Sequence, residues 1–343
     1  MNANLGNILR SVSAIKSKNS WVFSGLIIFT FLSIIMSITF GPANITGDDI
    51  LQCVMYECMS PIHDMVIWQI RIPRVLVGLV AGMGLACAGA ILQNVTRNPL
   101  ADPYLFGIIS GAGLGATIAT FAFNDQQSLA LPLAAFLGAL FSVVIVFGIA
   151  TLLRNMNHLL LTGVAVSFML GSISHFILYL GDPFATNRVI FWLMGSLARV
   201  EMFHFYLIGA IVLITLLTIF ALHRQIDALL LGDESAASLG VNIDKLRLIL
   251  LALCAAVTAT IVAYCGGIGF VGLMIPHIVR QLVGVTTMPL IIGSALVGGC
   301  FLVWVDVAAR SAFSNVEIPI GIITSAIGSI FFLAIMYRTR KTG

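Results

Sequence analysis

Long apolar runs, separated by short polar intervals, make up most of this 343-residue chain. A run of about 20 apolar residues is long enough to cross a bilayer as one helix. We therefore predict ten transmembrane helices in a single all-α, polytopic domain covering residues 1–343. Their expected bounds are 21–40, 65–92, 104–122, 129–153, 158–180, 201–222, 246–265, 268–283, 289–310 and 318–337. Glycines between the seventh and eighth spans predict a tight hairpin with a short return helix.

The interval 223–247 interrupts this pattern with a long charged and polar run, HRQIDALLLGDESAASLGVNIDKLR. Within it, Gly232 predicts a break, Asp233 an N-cap, 235–239 a short helix and Gly240 its end. Such an element can dock a soluble partner, or it can simply link two spans. The pattern alone leaves both interpretations open.

The overall composition excludes a soluble globular protein. Hydrophobic residues make up 59% of the chain and charged residues only 9%, whereas soluble domains average about 25% charged residues. The net charge of +3 is too small to indicate a nucleic-acid partner. The first apolar run has no small-residue cleavage site after it, so we expect it to be retained as a helix.

Lysine and arginine positions predict the orientation in the membrane, because these residues concentrate on the cytoplasmic side. With the N-terminus inside, the cytoplasmic set is Arg10, Lys16, Lys18, Arg97, Arg154, Arg224, Lys245, Arg247, Arg280, Arg338, Arg340 and Lys341. The outer set is smaller: Arg71, Arg74, Arg188, Arg199 and Arg310. Both termini and the interval 223–247 are therefore predicted to be cytoplasmic.

Two cysteines, Cys53 and Cys58, lie in the polar connection between the first two spans. They can form a disulfide if that side is oxidising. On a continuous helix, however, their spacing would place them too far apart to bond. The sequence favours separate thiols without deciding the matter.

The outer arginines have two possible roles. Arg71 and Arg74 lie together in RIPR, and Arg310 follows Asp306 by one helical turn. They can form an Asp306–Arg310 pair with two arginines anchored at the membrane interface. Alternatively, they form an exposed basic patch that receives carboxylates of an extracytoplasmic partner.

The turn QNVTRNPLADP (93–103) and two missing features bear on the type of transport. Pro99 and Pro103 prevent a continuous helix and predict a rigid turn, which can gate a pore or merely connect two spans. No acidic residue is expected deep in a span, which disfavours a proton-coupled transporter. The chain has no GxxxxGK[ST] motif, so ATP-driven transport would need ATP bound by another chain.

Eight motifs in order give the sequence a family resemblance. They are RIPR (71–74), AGAILQ (88–93), RNPLADPYLFGI (97–108), LLLTGVA (159–165), LGDESAASLGV (231–241), GFVGLMIPHIVR (269–280), DVAAR (306–310) and EIPIGIITSAIG (317–328). From about residue 69 to residue 337 the chain resembles the FecCD family of ABC importer permeases, which carry ferric siderophores, haem or vitamin B12.

The resemblance implies a type II ABC importer permease of ten helices that works as a homodimer in the bacterial inner membrane. Two copies of a cytoplasmic ABC ATPase would bind ATP and Mg, and a periplasmic substrate-binding protein would cap the outer face. The chain itself is expected to carry no catalytic residue, cofactor or metal, and to bind no nucleic acid.

The resemblance also implies roles for particular residues. ATPase coupling is expected at Leu231, Gly232, Asp233, Glu234, Ser235, Ala236, Leu239 and Gly240. Docking of the binding protein is expected at Arg71, Arg74 and Arg310. The cytoplasmic gate is expected at Asn98, Pro99, Leu100, Met156 and Asn157.

The expected function is import of a ferric siderophore from periplasm to cytoplasm. The same type of importer with haem, cobalamin or an oxyanion such as molybdate as cargo is the first alternative. A secondary transporter or channel without an ATPase is a second, and it would require an intramembrane acid or a coupling-ion site. A membrane-embedded enzyme is a third, and it would require clustered intramembrane His, Asp or Ser.

Overall fold

The computed structural model describes residues 2–41, 45–56, 58, 60–123, 130–153, 156–313 and 316–342. Side chains of residues 2–19, 123, 151–153, 156–158, 160 and 338–342 lie outside that description. Throughout the described ranges, the regular structure is helical and contains no strand.

Fourteen α-helices follow one another along the described residues. They are α1 Asn2–Thr39, α2 Gly47–Met55, α3 Pro61–Asp64, α4 Ile72–Thr96, α5 Ile108–Phe123, α6 Ala130–Leu153, α7 Met156–Leu180, α8 Pro183–Leu193, α9 Met202–Leu230, α10 Asp233–Ser238, α11 Ile243–Cys265, α12 Val271–Val283, α13 Thr287–Ser311 and α14 Ile320–Thr342. A π-helical segment, Met65–Arg71, leads into α4, and a 3₁₀ segment, Pro103–Phe106, precedes α5.

Eight helical stretches within the described residues are long and apolar enough to cross a membrane. They are Ser20–Thr39, Pro61–Thr96, Ala130–Ala150, Leu161–Leu180, Met202–Leu230, Ile243–Cys265, Thr287–Ser311 and Ile320–Tyr337. Two shorter apolar helices, Ile108–Ala122 and Val271–Val283, lie near the remaining predicted spans. The predicted class, an all-α polytopic membrane protein, is confirmed.

Helix α4 lies at the centre of the bundle and packs against α9, α11, α12 and α13. Small residues let its neighbours come close, since helix association in lipid depends on backbone approach. A side-chain carbon added at Gly82 would meet the backbone of Gly298 in α13, and one added at Gly89 would meet Gly272 in α12. Gly82 and Gly89 therefore serve close packing of α4 against α13 and α12.

Three short helices, α2, α3 and α8, were not predicted, because a search for membrane-length runs does not find them. Each begins with a polar N-cap, which accepts a hydrogen bond from a backbone N–H of the first turn. The caps are Thr46 for α2, Ser60 for α3 and Asp182 for α8.

Helix α2 also explains a disulfide that the sequence disfavoured. Cys53 and Cys58 are bonded, with their Cα atoms 4.1 Å apart. The expectation of separate thiols is wrong because it assumed one continuous helix, whereas α2 ends at Met55. Cys58 therefore does not continue the helix, and its Cα lies beside that of Cys53.

Candidate functional site

The short helix α10, in the centre of the charged interval, is delimited by two glycines. Gly232 has φ +112° and Gly240 has φ +80°, backbone conformations that favour glycine. At the far end, the N–H of Gly240 donates to Ala237 O at 2.9 Å and the N–H of Val241 donates to Ala236 O at 3.1 Å, which is a Schellman end. The N-cap position is occupied by Gly232 and not, as predicted, by Asp233.

The surface of α10 divides the predicted coupling residues into two groups. Leu231 is 70% exposed and Leu239 is 66% exposed, while Glu234 and Ser235 are also exposed. Ala236 is fully buried. Its side chain packs beneath the helix and makes no outward contact, so its part in coupling stays a prediction.

The carboxylate of Asp233 connects α10 to two other elements. Its Oδ1 pairs with the guanidinium of Arg97, the residue that ends α4. The same oxygen accepts a hydrogen bond from Arg247 of α11 at 2.9 Å. These partners explain why Asp233 does not act as the N-cap.

A second carboxylate ties the end of α9 to the start of α13. Asp227 Oδ1 accepts hydrogen bonds from the backbone N–H of Thr287 at 2.8 Å and from its hydroxyl at 2.6 Å. The interval 223–247 is thus bonded to three membrane helices, α4, α11 and α13. Sequence reasoning missed these links because their partners lie far apart along the chain.

The predicted gate turn, residues 98–102, comes just after α4. Hydrogen bonds within the turn hold its shape. Asn98 Oδ1 accepts from the N–H of Leu100 at 2.9 Å, and Asn98 O accepts from the N–H of Ala101 at 3.1 Å. Pro99 lies inside this turn and Leu100 is exposed. The other gate residues predicted, Met156 and Asn157, begin α7, but their side chains lie outside the described residues.

A cavity of about 710 Å³ lies beside the gate turn. Its wall comes from the gate turn and the 3₁₀ segment, from the start of α5, from the end of α8, from the link between α11 and α12, and from the start of α14. The lining residues are Leu100, Asp102, Tyr104, Leu105, Ile109, Leu193, Met194, Gly267, Gly269, Phe270, Leu273, Gly321, Ile322 and Ser325. Among these described residues the wall has one carboxylate and no lysine, arginine or histidine.

Two polar side chains hold the cavity wall together. Asp102 Oδ1 accepts a hydrogen bond from the N–H of Tyr104 at 2.8 Å, and the Tyr104 hydroxyl accepts one from the N–H of Ile268 at 3.2 Å. Burial raises the pKa of Asp102 to about 6, and the bond from the Tyr104 backbone partly offsets that rise. Both residues stand in the RNPLADPY motif, but their position at a cavity was not evident from it.

Arg71, Arg74 and Arg310 are buried, which contradicts the interpretation as an exposed basic patch and favours the alternative with an Asp306–Arg310 pair. Arg74 Nε donates to the two carboxylate oxygens of Asp306 at 2.8 and 3.0 Å, and its terminal nitrogens donate to Glu317 at 2.9 and 3.0 Å. Arg310 Nε lies 3.5 Å from Asp306, one turn away on the same helix. Two carboxylates distant along the chain thus bind Arg74, while Arg310 faces Asp306 on its own helix.

The remaining donors of this cluster reach the end of α1. Arg310 donates to Ser37 O at 2.8 Å, and Arg71 donates to Ile38 O at 2.8 Å. The cluster therefore ties together α1, α4, α13 and the segment before α14. Asp306 is buried among protein groups near the end of α13, and two arginines balance its charge.

Known proteins match this arrangement along nearly its whole length. The sequence profile of the FecCD transport family matches residues 27–338. The chain is 39% identical over 275 residues to the cobalamin import system permease protein BtuC of Halobacterium salinarum, covering 79% of this chain and 73% of that relative. It is 36% identical over 323 residues to the Fe(3+)-citrate import system permease protein YfmE of Bacillus subtilis, covering 92% and 94%.

A solved structure shows the same fold. It is a metal-chelate type ABC transporter in an inward-facing conformation, with a TM-score of 0.82 and 30% identity, and the match covers 93% of this chain and 99% of that one. The family match runs from within α1 into α14, and YfmE and the solved structure each match more than nine-tenths of the chain. The chain therefore belongs to the FecCD transport family, as a multi-pass permease component of an ATP-binding cassette importer.

Proposed function

We propose that this chain, as a homodimer, forms the membrane pathway for a ferric siderophore. The observation that carries the proposal is the cavity of about 710 Å³, whose wall is mostly apolar. A cavity of this size suits a bulky organic chelate. A small oxyanion needs cationic or N–H donors to replace its water, and no lysine or arginine is among the described lining residues.

Uptake by the reconstituted complex, with its ATPase and binding protein, tests the cargo. We expect ATP-dependent accumulation of a radiolabelled ferric hydroxamate or catecholate and no accumulation of molybdate. Haem and cobalamin belong in the same panel, because they are also large organic metal complexes. Uptake of haem or cobalamin, with no uptake of any ferric chelate, would overturn the assignment.

The open side of the cavity supports the homodimer. Its rim residues Leu100 and Ile322 are exposed, so a single chain does not enclose the space. A path for a polar chelate has to be shielded from lipid, and a second copy of the chain placed across α14 would provide that shield. The test is Ile322→Cys, oxidised in membranes, which should form a disulfide-linked dimer. Absence of that dimer would count against this arrangement.

The outer disulfide supports the proposed orientation, with both termini in the cytoplasm. Disulfides persist on the oxidising side of a membrane, which favours placing Cys53 and Cys58, just after α1, outside the cell's reducing interior. Helix α10, which we call the coupling helix, is then cytoplasmic. Labelling of these two thiols by an impermeant maleimide should require an impermeant reductant added from the periplasmic side.

The exposed leucines that flank α10 are the proposed ATPase contact. Changing Leu231 and Leu239 to serine should weaken ATPase association, since burying one leucine contributes about 1.5–3 kcal/mol, roughly a tenfold change in affinity or more. The measurement is the amount of ATPase that co-purifies with equal amounts of permease. The matched control is Leu248→Ser, a similarly exposed leucine on α11, which should retain the ATPase; equal loss in both would contradict the docking role.

We also propose that the buried arginines take part in capturing the binding protein. Their present acidic partners must first be displaced. Glu317 is the accessible member of the cluster, 40% exposed beside Arg74 at 6%. A carboxylate of the binding protein can reach Arg74 only by displacing Glu317. Under this proposal, Glu317→Gln should strengthen capture; unchanged or weaker capture would argue against Arg74 as the docking residue.

A further inference from the structure

One carboxylate oxygen joins the coupling helix to the end of α4. Asp233, the first residue of α10, pairs through Oδ1 with the guanidinium of Arg97. Arg247 of α11 donates to the same oxygen at 2.9 Å. The contact is partly exposed, at 40% for the Arg97 side chain and 45% for Asp233, so it contributes little to stability. Its position therefore has to be explained by something other than the strength of the fold.

The backbone at Arg97 is unfavourable for a residue with a side chain. Arg97 has φ 50° and ψ 31°, the left-handed conformation that usually selects glycine at a helix end. Within the described part of the chain, Phe270 at the cavity wall is the other non-glycine residue with positive φ. Strained residues of this kind cluster at functional sites. The strain at Arg97 indicates that the position is kept for its side chain.

Arg97 is also the residue immediately before the gate turn. Its own N–H donates to Asn94 O at 3.3 Å, and the N–H of Asn98 donates to Gln93 O at 3.1 Å. Beyond it, the turn is closed by the Asn98 side chain and stiffened by Pro99. A rigid turn passes on a displacement applied at its first residue and does not absorb it. Leu100, on the exposed side of this turn, would move with Arg97.

We propose that the Arg97–Asp233 ion pair is the joint through which movement of α10 reaches the inner gate turn. Arg97 and Asp233 are positioning residues: they touch neither ATP nor cargo, and they connect the docking helix with the turn that lines the cavity. This inference rests on the proposed docking of an ATPase on α10. It goes beyond docking because it assigns two tasks to different residues. Other residues of α10 bind the ATPase, and the ion pair transmits the movement of α10 to the turn.

The test reads the gate directly and needs no knowledge of the cargo. Leu100→Cys is introduced into the permease–ATPase complex, and its labelling rate with an impermeant maleimide is measured with ADP and with ATP plus vanadate. Background is low because Cys87, Cys254, Cys265 and Cys300 are buried and the other two cysteines are bonded. We expect a nucleotide-dependent labelling rate in this parent, and its loss when Arg97→Gly is added.

Arg97→Gly distinguishes transmission from a structural role. Glycine relieves the left-handed strain, so the variant should unfold at the same temperature or higher and should co-purify the same amount of ATPase. Arg97→Gln, which keeps the strain but removes the charge, should lose the labelling response equally. Arg188→Gln, which removes an exposed charge on α8, is the matched control and should retain it.

A double-mutant comparison then tests the pair. If Arg97 and Asp233 act as one unit, Arg97→Gly with Asp233→Asn should be no worse than either change alone. Additive losses would overturn the joint, as would an intact nucleotide response in Arg97→Gly or a Leu100→Cys parent whose labelling never responds to nucleotide. Loss of ATPase co-purification in Arg97→Gly would assign the pair to docking instead. Failure of the docking proposal is distinct, because the variant with Leu231 and Leu239 changed to serine would then retain as much ATPase as Leu248→Ser, whatever Arg97→Gly does to labelling.

Discussion

Replacing Asp306 with alanine is expected to lower the unfolding temperature of the detergent-solubilised protein strongly. Its carboxylate is 2% exposed and lies 2.8 Å from Arg74 Nε and 3.5 Å from Arg310 Nε. Without it, two buried guanidinium groups lose a shared counter-charge. Breaking one side of a buried ion pair typically costs about 3–5 kcal/mol. The measurement is the midpoint of thermal unfolding.

Two companion variants separate charge from packing in that experiment. Asp306→Asn keeps the shape and one acceptor oxygen, so its midpoint should fall between the wild type and Asp306→Ala. Glu317→Gln alters a 40% exposed partner of Arg74, and solvent should reduce its effect to a small fraction. A shift of less than about 1 °C for Asp306→Ala, which for 343 residues corresponds to about 0.7 kcal/mol, would show that the cluster does not hold the outer ends of the helices together.

Gly89→Ala is the second large effect, because it acts on the contact between α4 and α12. A side-chain carbon at position 89 would overlap the carbonyl of Gly272, and a backbone atom cannot rotate away. The helices would have to separate, which typically costs about 1–3 kcal/mol for overpacking and occasionally more. Separation would also shift the link at 267–270, which lines the cavity. We expect a lower unfolding midpoint together with reduced transport.

The matched control is Gly209→Ala in α9. An added carbon there meets nothing within 4 Å, and alanine is favoured over glycine inside a helix by about 1 kcal/mol. This variant should be as stable as the wild type or more stable. If both substitutions lowered the midpoint equally, close approach of α4 and α12 would not be what the glycine at position 89 provides.

The coupling helix shows how far local signals reach. Gly232 and Gly240 marked its limits correctly because a positive φ is a property of one residue and its neighbours. Asp233 was taken for an N-cap because its neighbours allow that role. Its actual partner, Arg97, lies at the end of α4, and nothing local to either residue shows that the two meet.

Arg71, Arg74 and Arg310 show the same limit of local signals. The positive-inside rule disfavours arginines outside, and the sequence left open whether these have partners within the chain or outside it. The partners are internal: Asp306 and Glu317 bind Arg74, and the carbonyls that end α1 bind Arg71. The i,i+4 spacing of Asp306 and Arg310 was the one part of this cluster that the sequence made visible.

By itself, the sequence determined that this is an all-α polytopic membrane protein with a long charged interval at 223–247 and rigid turns at particular prolines and glycines. Those features follow from the bilayer's demand for one long apolar run per span and from backbone preferences of single residues, which act segment by segment. Only the tertiary structure decided which charges pair, which glycines touch, where Cys58 returns to Cys53 and which residues line the cavity. Each of these depends on contact between segments that are distant along the chain. Apolar runs of similar hydrophobicity carry no signal that predicts which helices pack against each other.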